Sequence, residues 1–334
     1  MANILEVENL VKKYGDFAAV DGVNFTVEEG EVFGLLGPNG AGKTQTISML
    51  TGVVEPSGGT ARIGGYDIKT QAPETKKING LVPQDLALYP TISARANLNF
   101  FGRIYGLHGK DLKERVDDVL HIVALTDRAD DTVETFSGGM KRRVNIAAGL
   151  VHHPRLLFLD EPTVGVDPQS RNYIFESVQR LNRERQMSIV YTSHYMEEVE
   201  LLCKRVAIMD QGKIIAMDSV KNLIAILGGG VILIGLDEIN DELLAALSLL
   251  AAVKQASIAL TPTDQMAEAE EGPDLIEPAP SETVVKIETE SSQEALVNVF
   301  AFLNDRDIVV RSLEILESNL ENVFLHLTGK KLRD

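Results

Sequence analysis

Apolar residues in the first 220 positions occur in short continuous runs that alternate with longer helical patterns. Three such runs are 32–36, 156–159 and 188–192, each followed by polar residues or glycine. Runs of this length are typical of buried parallel strands in an α/β sheet. The stretches 2–30 and 59–70 instead alternate between glycine-containing turns, which indicates antiparallel strands. The pattern predicts an α/β fold, a mixed sheet with an antiparallel N-terminal β part.

A helical pattern follows between residues 92 and 152, where apolar positions recur at helical spacing. We therefore expect a helical subdomain over about 85–155. Beyond residue 220, the pattern predicts a strand over 283–289, a helix, a strand over 308–313 and a closing helix. These elements indicate a small α+β C-terminal domain.

The acidic side chains are concentrated in the tail. The formal net charge of the 334 residues is −17, with 24 basic and 29 acidic side chains up to residue 220, and 8 and 20 beyond it. Residues 261–282 hold seven acids, four prolines and no base, so we predict a disordered or loosely held linker there. The predicted domains are 1–220 and 221–334, the second interrupted by this linker.

Composition also limits the function. A strongly acidic chain argues against binding nucleic acid, which normally needs a basic patch. The one cysteine, Cys203, allows no internal disulfide and is expected to be a buried core residue. No uncharged stretch reaches the ~20 apolar residues of a membrane helix, so the sequence predicts a soluble chain.

The run at 32–36 leads into a complete match to the phosphate-loop pattern G-x-x-x-x-G-K-[ST]. Its residues are Gly37, Pro38, Asn39, Gly40, Ala41, Gly42, Lys43 and Thr44. Glycines let the backbone amides turn inward around phosphate oxygens, and the next helix adds the positive end of its dipole. Lys43 is expected to reach the terminal phosphates of a ligand, and the Thr44 hydroxyl to bind Mg²⁺. A glycine-rich turn without a ligand is the alternative.

A carboxylate pair follows the second apolar run. Asp160 ends the run at 156–159, and Glu161 comes directly after it. In a nucleotide hydrolase, Asp160 would hold Mg²⁺ and Glu161 would act as general base toward the attacking water. Without a phosphate loop, such a pair is usually a solvated turn.

The tripeptide Ser137-Gly138-Gly139 lies between the phosphate loop and this pair. Here the sequence resembles the ATP-binding cassette (ABC) transporter ATPases, whose signature loop has this form and position. The resemblance covers about residues 4–220 and implies a P-loop NTPase core. It also implies that the signature loop contacts ATP held by the opposite subunit of a head-to-tail dimer. A plain serine-capped helix is the alternative.

Four further residues match the family in order. The resemblance implies that Tyr14 stacks on adenine, although it could be an ordinary surface tyrosine. It implies that Gln84 contacts Mg²⁺ or the water, that Asp167 of the D-loop lies at the subunit interface, and that His194 is the switch histidine at the γ-phosphate. Lys43, Gln84, Glu161 and His194 would then form the catalytic set.

Departures from the family pattern are local. Phe136 and Met140 flank the signature where leucine and glutamine are commoner, and Thr163 stands where serine is frequent. The basic triple 141–143 is interpreted as a solvated helix face. The run Met-Lys-Arg-Arg at 140–143 and the segment 320–329 resemble the type-2 exporters, which carry an extra C-terminal domain.

The resulting prediction is an ATP-hydrolysing subunit that powers a separate membrane permease, as part of an exporter. Its expected partners are a second cassette, identical or different, and the permease, with no nucleic acid. The chain is expected to be cytoplasmic and to bind peripherally to the cytoplasmic face of the membrane, where its permease holds it. The alternatives are a soluble ABC ATPase of translation or repair, and a regulatory module that binds ATP without turnover.

Overall fold

The computed structural model describes residues 2–227, 229–237, 239–259, 283–316 and 319–328. The predicted acidic linker at 261–282 therefore lies outside the described residues. The chain forms two compact units, one ending at Val220 and one beginning at Lys221. Within the described ranges, no helix has both the length and the apolarity to cross a bilayer.

The first unit begins with a four-stranded antiparallel sheet in the order β2-β1-β4-β5. Its strands are β1 (Asn3–Tyr14), β2 (Phe17–Glu28), β4 (Gly58–Ile63) and β5 (Tyr66–Asp67). The turn between β1 and β2 contains Gly15, whose φ of 59° suits glycine. The antiparallel prediction for 2–30 and 59–70 is confirmed.

The first unit also contains a six-stranded sheet, in the order β10-β9-β3-β8-β7-β6. Its strands are β3 (Val32–Leu36), β6 (Asn79–Val82), β7 (Leu156–Asp160), β8 (Ser188–Ser193), β9 (Arg205–Asp210) and β10 (Lys213–Ser219). All neighbours are parallel except β10, which pairs antiparallel with β9. Every residue of β3, β7 and β8 is buried, as the apolar runs predicted. The mixed-sheet α/β fold is confirmed.

The main core joins the two sheets. Phe25 of β2 stacks on Phe33 of β3, with ring centroids 5.3 Å apart and planes 6° apart. Leu35 of β3, Phe158 of β7 and Ile47 belong to the same buried cluster. Each such side chain contributes about 1.5–3 kcal/mol through burial. This core fixes the position of the strands that carry the site.

Seven helices of the first unit connect and cover these strands. They are α1 (Lys43–Leu50), α2 (Ala72–Ile78), α3 (Ala94–Ile104), α4 (Gly109–Ile122), α5 (Gly138–Leu150), α6 (Pro168–Arg185) and α7 (Met196–Leu202). Short 3-10 turns at 126–128 and 133–135 link α4 to α5. The helical prediction for 92–152 is confirmed, and α5 also packs on β6.

The second unit is an antiparallel sheet in the order β12-β13-β11-β14 with helices against it. Its elements are β11 (Val231–Leu236), α9 (Asp241–Ser248), β12 (Val253–Ile258), β13 (Thr283–Thr289), α10 (Ser292–Asn304), β14 (Val310–Leu316) and α11 (Leu320–Thr328); α8 (Val220–Ala225) precedes them. Ile232, Val285 and Val299 belong to its buried core.

The strand predicted at 283–289 is confirmed, whereas the prediction of a strand over 308–313 is displaced. The structure begins β14 at Val310. Asp307 has a φ of 54°, and the Ile308 amide donates a hydrogen bond to the Leu303 carbonyl of α10. Position 308 therefore belongs to the turn that ends the helix. The sequence pattern also did not identify β11, α9 and β12.

Candidate functional site

The loops that carry the candidate residues follow the carboxyl ends of four parallel strands. In register, Leu36 of β3 pairs with Ser193 of β8, and Asp160 of β7 pairs with Thr192. Val82 of β6 pairs with Leu159 of β7. Because parallel strands end at one edge of the sheet, the segments that follow them meet there, where open α/β sheets bind ligands.

The phosphate loop, residues 37–44, joins β3 to α1. Gly40 and Gly42 have φ values of 82° and 104°, in the region that favours glycine. A Cβ on Gly42 would also lie 2.6 Å from the Ala19 carbonyl oxygen. Gly42 is the N-cap of α1 and supplies no side-chain hydrogen bond to it. The first amides of α1 are therefore available to an anion.

Lys43 is almost completely enclosed, with 4% of its side chain exposed. Its Nζ donates hydrogen bonds to the carbonyl oxygens of Gly37 at 2.7 Å and Pro38 at 3.1 Å. The same Nζ lies 3.0 Å from Glu161 Oε1. These contacts use all three donors of the ammonium group.

Glu161 is the centre of the arrangement and is equally buried. Its Oε2 lies 3.2 Å from His194 Nδ1 and accepts a bond from Gln84 Nε2 at 3.4 Å. Its backbone amide donates to Thr192 Oγ1 at 2.9 Å. Glu161 has a φ of 44°, an uncommon value for a residue other than glycine. Backbone strain of this kind is often found at functional sites.

Asp160 lies beside this pair at the end of β7, with 3% of its surface exposed. Thr192 Oγ1 donates to its Oδ1 at 2.8 Å. Burial raises the pKa of the Asp160 carboxyl, and hydrogen bonds from the Thr192 and Thr44 side chains oppose that rise. The single Thr192 hydroxyl thus orients Asp160 and also holds the backbone of Glu161.

A cleft of about 400 Å³ opens beside the phosphate loop. Tyr14 and Phe17 line it, with 51% and 67% of their surfaces exposed. The Tyr14 hydroxyl donates to Gln45 Oε1 at 3.0 Å. Sequence reasoning singled out Tyr14 and missed Phe17. An aromatic residue three positions after Tyr14, on the far side of the Gly15 turn, was the available signal.

The signature residues lie on a different surface. Ser137 is the N-cap of α5 and accepts a bond from the Met140 amide at 3.2 Å. Ser137 and Gly138 are exposed, whereas Gly139 is buried against the start of α6. Asp167 is the N-cap of α6, and the hydrogen bond from the Ser170 amide lowers the pKa of its carboxyl. These signature and D-loop residues do not line the cleft.

The interpretation of 141–143 as a solvated face is wrong for Arg142, of which 5% is exposed. Its Nη1 donates to the Pro83 carbonyl oxygen at 3.0 Å, as Asn145 Nδ2 does at 3.3 Å. Asn145 Oδ1 also accepts from the Ala87 amide at 3.1 Å. The buried face of α5 therefore holds the segment that contains Gln84. A basic triple gives no sequence signal for this contact.

Among the described residues, no group of three or more His, Cys, Asp or Glu side chains is arranged to hold a metal by itself. Asp160 and the hydroxyl of Thr44 do supply hard oxygen ligands beside the phosphate loop. Mg²⁺ in nucleotide hydrolases is held by few protein oxygens together with substrate phosphates. The residues present therefore fit this ion.

A phosphate loop at the edge of a parallel sheet, with its lysine against a carboxylate, defines the class of P-loop nucleotide hydrolases. A family model described as ABC transporter matches residues 20–164. The linearmycin resistance ATP-binding protein LnrL of Bacillus subtilis is 44% identical over 99% of this chain and 100% of its own. This chain belongs to the family of ABC transporter ATP-binding proteins.

Two further relatives agree with this assignment. The Nod factor export ATP-binding protein I of Cupriavidus metallidurans is 38% identical, and the alignment covers 100% of both chains. The structure of cbiO1 from Clostridium perfringens, part of the ABC transporter complex cbiONQ, matches with a TM-score of 0.62 and 30% identity. That match covers 67% of this chain and 92% of cbiO1.

Family membership confirms the predicted activity class. The chain is an ATP-binding and ATP-hydrolysing subunit, of the class that powers a separate membrane permease.

Proposed function

We propose that Lys43, Gln84, Glu161 and His194 form the hydrolytic centre of an ABC exporter subunit. The observation that carries this proposal is the position of Glu161, whose two carboxylate oxygens contact the other three side chains. Gln84, Glu161 and His194 follow β6, β7 and β8, and Lys43 is the first residue of α1. A general base must lie within hydrogen-bond reach of the proton that it accepts, and Glu161 lines the cleft beside the phosphate loop, where the attacking water would lie.

In this arrangement the charges of Lys43 and Glu161 neutralise each other at 3.0 Å. The terminal phosphates of ATP compete with Glu161 for Lys43, because its other two donors already bond to loop carbonyls. When Lys43 turns to the phosphates, Glu161 becomes free to accept a proton from the attacking water. His194 and Gln84 keep its Oε2 oriented during that exchange. ATP binding itself thus activates the base.

Mg²⁺ would be held by the Thr44 hydroxyl and the Asp160 carboxylate, with Gln84 as a further oxygen ligand. When bound, the ion supplies charge neutralisation at the phosphates. Thr192 donates to Asp160 Oδ1 and so fixes the orientation of the carboxylate for binding.

Two further surfaces are assigned to ATP, one for the adenine base and one for the ATP of the opposite subunit. Tyr14 and Phe17 line the cleft and offer aromatic faces to the adenine base. Ser137 and Gly138 are exposed at the N-terminus of α5, away from the cleft. In a head-to-tail dimer of cassettes, they would contact ATP held by the opposite subunit, with Asp167 at the interface.

Export is the direction that the relatives favour, since one is named for Nod factor export and another for linearmycin resistance. We assign the chain to the cytoplasmic face of the membrane, bound to its permease. The segment 85–98 is the proposed contact, and it exposes Leu86, Tyr89 and Ile92 by 43%, 49% and 37%. The alternative role in translation or repair has no support among these relatives.

The proposed base is tested by Glu161→Gln, which keeps the side-chain shape and removes the charge. We expect ATP binding to persist and turnover to fall at least about a hundredfold, within the range for loss of an acid–base group. The variant should also accumulate as an ATP-dependent dimer in size-exclusion chromatography. Glu176→Gln, at an exposed position of α6, is the matched control and should behave as wild type. Unchanged hydrolysis by Glu161→Gln would refute the assignment.

The transport role is tested by affinity purification from detergent-solubilised membranes. A stoichiometric multi-spanning partner is expected. Recovery with ribosomes or with DNA-repair complexes instead would contradict the proposal, and would favour the alternative.

A further inference from the structure

One buried carboxylate of the first unit, Glu198 on α7, takes no part in the mechanism above. Only 3% of this residue is exposed. Thr163 Oγ1 donates to both of its oxygens, at 2.7 and 2.9 Å. Tyr191 OH and Ser193 Oγ each donate to its Oε2 at 2.9 Å. Burying a charge is unfavourable unless the charge is well bonded, so such a group needs an explanation.

The surroundings show that this group acts as a charged acceptor. All three hydroxyls have an acceptor in the carboxylate, and the Arg171 guanidinium lies 3.7 Å away. The pKa of the Tyr191 hydroxyl is raised, mainly because the group is buried and to a smaller extent because the Glu198 charge is near. The tyrosine therefore stays a donor. A neutral acid or an amide at position 198 would turn a hydrogen-bond donor toward these three hydroxyl donors.

The partners of Glu198 lie next to the hydrolytic centre along the chain. Thr163 is two residues after Glu161, and Ser193 directly precedes His194. Ser193 Oγ also accepts a bond from the Tyr195 amide at 2.9 Å, which fixes the backbone on the other side of the histidine. One carboxylate therefore joins the two loops whose reactive side chains meet at 3.2 Å.

We propose that Glu198 is a positioning residue, which holds the Glu161 and His194 loops in register through Thr163 and Ser193. This inference rests on the proposed function of Glu161 as the base. It extends to the start of α6, because Arg171 lies over the Tyr195 ring at 5.1 Å while it faces Glu198. A displacement of either loop is thus transmitted to the other through Glu198.

The variant Glu198→Gln tests the proposal because it keeps the volume and removes the charge. We expect kcat to fall at least about tenfold, since misplacement of reacting groups by about 1 Å can cost a hundredfold in rate. The Kd of ATP should stay within about twofold of wild type, because the phosphate loop is untouched. Glu197→Gln is the matched control, an exposed neighbour on the same helix. It should keep wild-type kcat and Kd.

A purely structural role predicts a different result. Glu198→Gln would then unfold at a lower temperature but keep its kcat below that temperature, and this outcome overturns the proposal. Thr163→Val serves as a second variant if Glu198→Gln does not fold. It removes one hydroxyl, keeps the shape, and should also lower kcat at unchanged Kd. Unchanged kcat in Thr163→Val would overturn the proposal as well.

A double-mutant cycle separates the linkage from general damage. If Glu198 acts by holding Thr163, the double variant Glu198→Gln/Thr163→Val loses no more rate than the worse single variant. Fully multiplicative losses would contradict the linkage. Failure of the proposed function is distinguishable, because Glu161→Gln would then hydrolyse ATP at the wild-type rate. Normal kcat in Glu198→Gln beside an inactive Glu161→Gln would refute only the positioning role.

Discussion

Two adjacent glycines of the signature loop have very different surroundings. Gly139 packs against the first turn of α6, and a Cβ at this position would lie 1.9 Å from Ser170 Oγ and 2.3 Å from Ser170 Cβ. A Cβ on Gly138 would meet nothing within 4 Å. Replacing each glycine by alanine therefore compares an enclosed site with an open one in the same helical turn.

The size of the effect follows from these distances. Carbon atoms pack at about 3.5–4.0 Å, so Gly139→Ala must push Ser170 away by more than about 1 Å. Overpacking of this kind costs about 1–3 kcal/mol. The shift also disturbs the bond from the Ser170 amide to Asp167 Oδ1, an N-cap that contributes about 1 kcal/mol. Alanine regains up to about 1 kcal/mol of helix propensity at either position.

Thermal unfolding followed by circular dichroism measures the difference. We expect Gly138→Ala to unfold at or slightly above the wild-type temperature. Gly139→Ala should be destabilised by about 2 kcal/mol, which lowers Tm by about 4–8 °C for a unit of this size. Adding Ser170→Gly should recover most of the loss, because both clashing atoms belong to that side chain. Equal Tm values for the two alanine variants, or no recovery in the double variant, would refute the packing argument.

Two other predictions concern a carboxyl and a buried arginine. The bond from Thr60 Oγ1, first among several, lowers the pKa of Asp67 to about 2, so the carboxylate stabilises the fold above about pH 4 and loses this effect as pH falls toward 2. Thr60→Val should raise the pKa of Asp67 toward 3.8 in an NMR titration. The same Asp67 pKa in the variant and in the wild type would show that the bond does not form in solution. Arg142→Met should cost about 1–3 kcal/mol in urea unfolding, since it removes a charged donor from the Pro83 carbonyl. Lys141→Met is the control, and an equal loss there would contradict the contact.

The elements that the sequence predicted well depend on local pattern. Apolar runs gave β3, β7 and β8, because strands buried on both faces are rich in apolar side chains. The buried polar residues at their ends, such as Asp160 and Thr192, are hydrogen-bonded. The sequence pattern was weaker in the second unit, where β12 buries only Ala256 and so leaves no continuous apolar run. The displaced start of β14 has a different origin, because the turn at Asp307 depends on how α10 ends.

The phosphate loop is the part of the site that the sequence by itself determined. Its eight residues are contiguous, and its chemistry comes from glycine backbone angles and one lysine, both of which are local properties. The pairing of Asp160 with Glu161 is likewise written in consecutive positions. The resemblance to a family added Gln84 and His194, although nothing in their own neighbourhoods marks them.

The tertiary structure alone decided which distant residues meet. Gln84 and His194 reach Glu161 across 77 and 33 positions because their strands are parallel neighbours and end at one edge. The burial of Glu198 and Arg142 depends on partners from other elements, whose positions no local pattern contains. Charged residues are usually solvated, and only a packed fold can enclose them with enough hydrogen bonds to offset the loss of water.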